Sequence, residues 1–189
     1  MKIIYMEDSR DNIQTVKLIG KGLFSKAYLT ESNDVIIVTF TDLKNVDYTK
    51  EGISEFANGL NVPQIQRLGY TRDLKSQVYK MPYYKKLTKK DYPTAWNQAK
   101  ILQMELNNAG NICGYNDNDK WLDSLYGKID ESIIESLREI NYALGNYDSE
   151  SYCFEFPIRN LKVDFDGNLI LLDVIFNKKS AVEIRRNYN

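Results

Sequence analysis

The chain has 189 residues, 25 of them basic and 26 acidic, with a formal net charge of −1 and no histidine. No basic block supports nucleic-acid binding. Because no apolar run is long enough to span a bilayer, and the first ten residues are too short and too acidic for a signal peptide, we expect a cytoplasmic protein with no membrane partner. The absence of histidine excludes Ser-His and Cys-His catalysis and imidazole-bound zinc. Cys113 and Cys153 show no ligand spacing and are interpreted as free thiols of a reducing compartment.

The N-terminal residues are predicted to form strands joined by short turns. We expect strands over 15–19 and 35–40, with a glycine-bearing stretch over 20–28 and a turn over 31–34 between them. A strand, a glycine turn and a return strand present backbone amides that can lie over phosphates. The G-x-G pattern is weak by itself. It lacks the third glycine and helix of a dinucleotide fingerprint and the Gly-Lys-Ser/Thr ending of a Walker A loop.

A first helix is predicted over 49–60, because Ile53, Phe56 and Leu60 follow helical spacing and Pro63 stops the pattern. Glu51 and Glu55 lie on this predicted helix. Strands are then expected over 64–70 and 77–81. Pro82 ends the second of these and begins an extended connector over 83–87.

The C-terminal part has a helical pattern. One helix is marked by apolar residues that end near Gly110: Ala95, Ala99, Leu102 and Leu106. A polar loop over 111–119 and a short helix around Trp121 follow. In the last helix, Ser132 and Glu135 resemble a capping box, and Gly145 is a stop. The buried stripe of this helix is expected to be Ile133, Leu137, Ile140 and Leu144.

A hairpin is predicted beyond this helix. The stretch 161–164 leads into an Asp166-Gly167 turn, and the apolar run 169–172 leaves it. Asn160 precedes the hairpin and Asp173 follows it, so the two side chains are expected to meet. An amide oxygen and a carboxylate suit Mg²⁺ when phosphate oxygens complete the shell. Taken singly, the Asn is more typical of a turn residue and the Asp of a cap.

In their order, these motifs resemble those of protein kinases. The resemblance implies an α+β, kinase-like fold with a β-rich N-lobe over 1–82 and a reduced helical C-lobe over 83–189. The loop Gly20-x-Gly22-x-Phe24-Ser25 resembles the kinase loop that covers phosphates, with Ser25 in place of the third glycine. Residues 78–84 resemble the fifth strand and hinge, which implies that Met81 and Tyr83 contact adenine. Asn160 and Asp173 match the catalytic-loop Asn and the Asp of D-F-G, which hold Mg²⁺ in kinases.

The resemblance is closest to the small serine/threonine kinases that tailed bacteriophages make early in infection, and it covers roughly residues 15–176. Their loop reads like G-x-G-x-F-S-x-A-Y, their hinge like M-P-x-Y, and D-P or D-V replaces D-F-G. It implies ATP and Mg²⁺ as cofactors and a protein of the infected host cell as partner.

Three positions depart from the kinase pattern. Ile37 stands where the third-strand lysine is expected, so Glu51 and Glu55 lack their usual partner. Glu155 stands where the catalytic base is normally Asp, and Pro157 replaces the histidine of the family's catalytic loop. Three lysines are candidates to replace the missing cation, although a solvated role is more typical of each: Lys21, Lys26 and Lys162.

The sequence therefore leads to two main hypotheses and a weaker third one. The first is a degenerate kinase, or pseudokinase, that binds a host protein during infection, in host takeover or anti-defence, and retains at most ATP-Mg binding. The alternative is an active serine/threonine kinase in which Glu155 is the base and Asn160 and Asp173 hold the metal. The third is transfer of another part of ATP, such as the nucleotidyl group.

Overall fold

The computed structural model describes residues 2–7, 10–21, 25–40, 59–71, 76–110, 112–145 and 152–177. These residues form a mixed α/β structure of two compact units. The barrel unit contains residues 2–40 and 64–83, and the helical unit contains residues 59–63 and 84–177. Most of the predicted helix over 49–60, including Glu51 and Glu55, lies outside the described residues, as does Gly22.

The barrel unit is a closed antiparallel barrel. Its strands are β1 (Lys2–Glu7), β2 (Arg10–Lys21), β3 (Ser25–Thr30), β4 (Asp34–Phe40), β5 (Gln66–Thr71) and β6 (Ser76–Pro82). Around the barrel they follow the order β1-β2-β3-β4-β6-β5. Side chains from several strands fill its interior, among them Ile36 and Val78, which are fully buried. The strands expected from the sequence are thus confirmed. The pairing of β1 with β5, which closes the barrel, had no sequence signal.

In the part of the helical unit that the structure describes, there are three helices, two small sheets and one turn of 3₁₀-helix (Ile158–Asn160). The helices are α1 (Pro93–Ala109), α2 (Tyr115–Asp123) and α3 (Glu131–Gly145). The first sheet has the order β10 (Leu169–Leu171), β9 (Leu161–Val163), β7 (Lys85–Lys86), and the second pairs β11 (Ile175–Asn177) with β8 (Tyr152–Phe154). Within the described residues, no helix is both long and apolar enough to cross a bilayer.

The helix pattern predicted from the sequence is confirmed in part. Ala95, Ala99 and Leu102 are buried on α1 as expected, and Ile133, Leu137 and Ile140 are buried on α3. The prediction of a loop over 111–119 is wrong, because α2 already begins at Tyr115. The capping box at Ser132 is also wrong. Since α3 begins at Glu131, Ser132 lies inside its first turn, where its carbonyl accepts a hydrogen bond from the Ser136 hydroxyl.

The expectation of two free thiols is wrong. Cys113 and Cys153 form a disulfide, with a Cα–Cα distance of 4.2 Å. The two residues face each other in an isolated antiparallel bridge, which is supported by a 2.8 Å hydrogen bond from the Gly114 amide to the Tyr152 carbonyl. Because the two cysteines are 40 residues apart in the chain, no local sequence pattern indicates that they are in contact.

Candidate active site around Asn160

The predicted hairpin is present and brings its two ends together. In β9 and β10, Leu161 pairs with Leu171 and Val163 with Leu169. The Asp164 carboxylate closes the turn by accepting hydrogen bonds from the backbone amides of residues 166 and 168, while Gly167 adopts a φ of 89°. Gly167 thus supplies the left-handed backbone conformation that a side chain disfavours. As a result, the chain leaving the hairpin runs beside Asn160.

Asn160 is the residue that connects the parts of the site. Its Nδ2 atom donates to the main-chain carbonyl of Asp173 at 2.6 Å and to Oε1 of Glu155 at 3.2 Å. Its own carbonyl accepts from the Leu172 amide at 3.2 Å, and its amide donates to the Pro157 carbonyl at 2.8 Å. Within the described residues no donor contacts its Oδ1 atom. The two donors of the amide group are therefore directed into the protein, and its oxygen is left for an external ligand.

Glu155 lies next to Asn160 and is held by its backbone, because its amide donates to the Val174 carbonyl at 2.7 Å. Its side chain is half-buried. Burial is the main cause that raises the pKa of the Glu155 carboxyl, and the negative charge of Asp173 raises it further. Arg159 and the hydrogen bond from Asn160 act in the opposite direction. The two carboxylates are thus close enough to repel, which a bound cation would relieve.

The residues present fit a Mg²⁺ ion that is shared with a phosphate. The Asn160 amide oxygen and the Asp173 carboxylate are hard oxygen ligands, and Asp173 is exposed. The described residues contain no group of three or more Cys, Asp or Glu side chains that would hold a metal alone. Mg²⁺ commonly takes one or two carboxylates and completes its shell with water and substrate phosphates. The oxygen atoms of Asn160 and Asp173 are therefore of the type that Mg²⁺ accepts, and a metal at this position stays a prediction.

In the barrel unit, the glycine loop is described only at its two ends. Gly20 lies opposite Ala27, just after a bulge in β2, and Ser25 lies opposite Thr39. A Cβ atom on Gly20 would lie 3.6 Å from the Ala27 Cβ, which is an ordinary contact, so space alone does not require a glycine there. Any role of Gly20, Gly22 and Ser25 toward phosphate stays a prediction.

Ile37 occupies an apolar position in the barrel. It lies between Ala27 and Tyr79 on the neighbouring strands, and only 5% of its surface is exposed. A lysine there would have to bring a charge among buried groups, which is costly without a partner. The site expected for the phosphate-binding lysine is therefore a packing position in this chain.

The lysines considered as replacements lie in different surroundings. Lys21 is exposed and pairs across the ladder with Lys26, which is half-buried. Lys162 lies on β9 of the helical unit, directly opposite Lys86. Burial lowers the pKa of Lys162, and the like charge of Lys86 lowers it further. Recruitment of any of the three stays a prediction.

Both residues predicted to contact adenine already have contacts within the barrel unit. Met81 lies opposite Val35 in the β4–β6 ladder and is buried. The backbone amide of Tyr83 donates to the Asn33 carbonyl at 3.3 Å. If Tyr83 contacts adenine through its backbone amide, this long hydrogen bond would have to be exchanged for one to the ligand.

One further feature of the site was not predicted from the sequence. A cavity of about 390 Å³ lies beside Glu155. It is lined by Gln103, Leu106, Asn107, Glu155, Phe156, Pro157 and Arg159. Gln103 of α1 holds its wall, since its Nε2 atom donates to the Phe156 carbonyl at 2.6 Å. Arg159 is adjacent in sequence to Asn160, and its charge was the only local indication of this cavity.

No protein-family model and no curated protein matches the chain. Among solved structures, it is similar to the aminoglycoside phosphotransferase APH(2'')-Ib with ADP bound, at 13% identity and a TM-score of 0.40, over 88% of this chain and 68% of that one. It is also similar to the GDP and kanamycin complex of APH(2'')-IIIa, at 12% identity and a TM-score of 0.39, over 85% and 69% of the two chains. The streptomycin–ATP complex of APH(2'')-IIa is similar at 13% identity and a TM-score of 0.40, over 88% of this chain and 68% of that one. These structural neighbours are nucleotide complexes, and their low identities and TM-scores assign no substrate to this chain.

Proposed function

We propose that this chain is a kinase-like protein that binds ATP and Mg²⁺ at Asn160 and Asp173 and acts chiefly by binding another protein. The observation that carries the proposal is the position of Asn160. Its Nδ2 atom contacts both Glu155 and the Asp173 main chain, which leaves its oxygen and the Asp173 carboxylate for a cation. In keeping with the resemblance to phage kinases, we propose that the partner is a protein of the infected cell, engaged in host takeover or anti-defence.

Two positions argue for weak or absent phosphoryl transfer. Ile37 is buried and apolar, so the barrel supplies no cation to the phosphates at this point. Preorganised charges of that kind are often the largest contribution to catalysis. The base position holds Glu155 in place of Asp, and a well-placed base contributes roughly 10²–10⁴-fold to a rate. Together, these two changes leave Asn160 and Asp173 in place but remove most of the rate of phosphoryl transfer.

An active serine/threonine kinase is the second candidate, and one observation favours it. Glu155 is half-buried, has a raised pKa and contacts the metal-ligand residue Asn160, as a general base adjacent to bound phosphate should. In this reading the carboxylate accepts the proton of an acceptor hydroxyl as its oxygen attacks the γ-phosphorus, and ADP departs with the bridging oxygen. Mg²⁺, when bound, would neutralise phosphate charge at Asn160 and Asp173.

Transfer of label from ATP distinguishes these candidates. The purified chain is incubated with host lysate, Mg²⁺ and ATP labelled at either the γ or the α position. The proposal predicts that neither label becomes protein-bound, while ATP with Mg²⁺ raises the melting temperature of the chain. Protein-bound γ label that Asp173→Ala abolishes would instead establish the active kinase. Protein-bound α label would establish nucleotidyl transfer.

The nucleotide part of the proposal has its own control. Asp173→Ala should remove the thermal shift, whereas Asp166→Ala, which deletes an exposed carboxylate at the hairpin turn, should retain it. No shift of the unmodified chain at millimolar ATP would show that the site is vestigial, and the nucleotide part of the proposal would fall.

A further inference from the structure

We propose that a lysine-rich surface of the helical unit binds an acidic segment of the partner protein, and that one apolar side chain of this segment packs against Phe165. The lysine surface lies beside the hairpin turn and consists of five residues: Lys85, Lys86, Lys89, Lys90 and Lys162. This inference rests on the proposed function only in that it takes the partner to be a protein. It adds where that partner docks and the chemistry that recognises it.

The pairing of β7 with β9 places two of these lysines side by side. Lys86 lies directly opposite Lys162, so both side chains leave the same face of the sheet. The neighbours of Lys162 in β9, Leu161 and Val163, are buried. Like charges directly opposite each other in a sheet are unfavourable, and Lys86 is the charged group that acts on Lys162. A carboxylate bound between the two ammonium groups would relieve this repulsion.

Two further lysines, Lys89 and Lys90, are exposed on the turn over 89–91. This turn leads to Tyr92, whose Cδ1 atom lies 3.8 Å from the position that a Cβ atom on Gly167 would take. The turn before α1 and the hairpin turn are therefore neighbours. As a result, the lysines of both segments belong to one continuous surface.

The charges of the lysine surface are not neutralised within the part of the chain that the structure describes. None of its five ammonium groups forms an ion pair there. The carboxylates beside it in the chain are already engaged. Asp91 accepts from the Thr88 hydroxyl at 2.7 Å, and Asp164 accepts from two backbone amides and from Nδ2 of Asn168. The lysine surface therefore presents its positive charge to an external ligand.

Phe165 supplies an apolar contact at the edge of the lysine surface. It is 70% exposed, the largest exposed fraction among the large apolar side chains of the described residues. The Lys85 ammonium lies 5.0 Å from the centre of its ring, which is a cation–π distance. An exposed ring beside unpaired cations is complementary to a segment in which carboxylates flank an apolar side chain.

A protein segment fits this surface better than a nucleic acid does. Nucleic acids are bound by cations that follow their phosphates along an extended track. Here the five lysines are accompanied by the carboxylates of Asp91 and Asp166, and the whole chain has a net charge of −1. The other role of lysines on β7, an edge strand of its sheet, would be to prevent pairing with the edge of another chain. That role requires no ligand, so binding measurements distinguish it.

Fluorescence anisotropy with the full chain and labelled peptides, in the absence of nucleotide, tests the inference. The acidic peptide has three glutamates on each side of one phenylalanine. Its controls carry glutamine for glutamate or alanine for phenylalanine, and a single-stranded DNA of the same charge is a further ligand. At low ionic strength we expect the acidic peptide to bind about 10-fold more tightly than the glutamine peptide, because several exposed ion pairs contribute. This preference should decrease as salt is added.

Matched variants locate the binding surface. Lys86→Glu should weaken binding of the acidic peptide about 3- to 10-fold, whereas Lys120→Glu, the same charge change at an exposed residue of α2, should not. Phe165→Ala should abolish the difference between the phenylalanine and alanine peptides, and Met104→Ala, at an exposed apolar residue of α1, should retain it. Lys86→Glu should melt no lower than the parent chain, because it replaces a like-charge pair by an opposite one.

The outcomes decide the inference separately from the nucleotide site. Binding of the acidic peptide that Lys86→Glu weakens and Lys120→Glu does not supports it. This holds even if ATP with Mg²⁺ produces no thermal shift, in which case only the nucleotide proposal falls. No binding of the acidic peptide at millimolar concentration, equal weakening by the two charge variants, or binding of the DNA as tight as that of the peptide would overturn it. An unchanged preference for phenylalanine in Phe165→Ala would overturn it as well.

Discussion

Asn160 donates a hydrogen bond of 2.6 Å from its side-chain amide to the main-chain carbonyl of Asp173. The bond joins the residue that enters the hairpin to the residue that leaves it. The same nitrogen contacts Oε1 of Glu155 at 3.2 Å. One amide group therefore fixes the relative positions of the proposed metal ligands and of the residue at the base position.

Replacement of Asn160 tests this relationship. Asn160→Ala should lower the free energy of unfolding by about 1–2 kcal/mol, because the Asp173 carbonyl and the Glu155 carboxylate each lose a hydrogen-bond donor. Asn160→Asp should be at least as destabilising near neutral pH, since it places a second carboxylate against Glu155. Urea denaturation measures both. Variants as stable as the parent chain would show that the amide does not organise the hairpin ends.

The stability of the chain should depend on pH through Glu155. Burial and Asp173 hold the pKa of this carboxyl above its value in an unfolded chain, so the folded state binds more protons in the window between the two values. The stability contributed by the protonated group is present at acid pH and is lost as the pH rises through that window. Glu155→Gln should therefore become more stable relative to the parent chain as the pH rises from acid towards neutral values.

Urea denaturation across this pH range measures the difference. Glu31→Gln, which removes one carboxylate from an exposed turn, is the control. A stability difference between parent and Glu155→Gln that does not change with pH would contradict the account.

Gly59 is packed against α3 so closely that a methyl group has no room. A Cβ atom there would lie 2.5 Å from the Ser136 hydroxyl oxygen and 3.3 Å from the Ser136 Cα. That hydroxyl accepts from the Asn61 amide at 3.2 Å, so it cannot move without the loss of this bond. Gly59→Ala should destabilise the chain by about 1–3 kcal/mol in thermal or urea denaturation. Gly20→Ala, where the new Cβ meets only an ordinary contact, is the control and should be milder.

The disulfide should be detectable and stabilising. In the unreduced, denatured chain, a thiol reagent should find neither Cys113 nor Cys153 free. Since the bond closes a loop of 40 residues, its reduction or Cys113→Ser should cost about 2–4 kcal/mol of unfolding free energy. Two reactive thiols before reduction, in chain purified under oxidising conditions, would contradict this contact.

Local signals in the sequence were sufficient for the strands predicted at 15–19, 35–40, 64–70 and 77–81 and for the hairpin. The β-branched run in β4 favours a strand and the Asp166-Gly167 pair favours a hairpin turn, and each preference depends on only a few neighbouring residues. The meeting of Asn160 with Asp173 follows from that turn, because a hairpin brings its ends together. Closure of the barrel depends instead on the pairing of Tyr5 with Thr71, which lie far apart in the chain, and no local pattern encodes it.

Contacts between residues that are distant in the chain also explain where the predictions from the sequence were wrong. The start of α2 at Tyr115 was missed because Asn and Asp favour turns, whereas here Asn118 is buried and its amide donates to Oδ1 of Asn141 on α3 at 3.1 Å. The Cys113–Cys153 bond and the contact from Gln103 to Phe156 are likewise tertiary. Tertiary contacts overrode local propensity at each of these positions.

Binding of Mn²⁺, as a spectroscopic substitute for Mg²⁺, tests whether Asn160 and Asp173 hold a metal together with ATP. Electron paramagnetic resonance measures free Mn²⁺ as the chain is titrated in the presence of ATP. We expect the parent chain and Asp166→Ala to deplete the free Mn²⁺ signal beyond what ATP alone does, and Asp173→Ala and Asn160→Ala not to do so. No depletion by the parent chain, or equal depletion by Asp173→Ala, would contradict a metal–nucleotide site at Asn160 and Asp173.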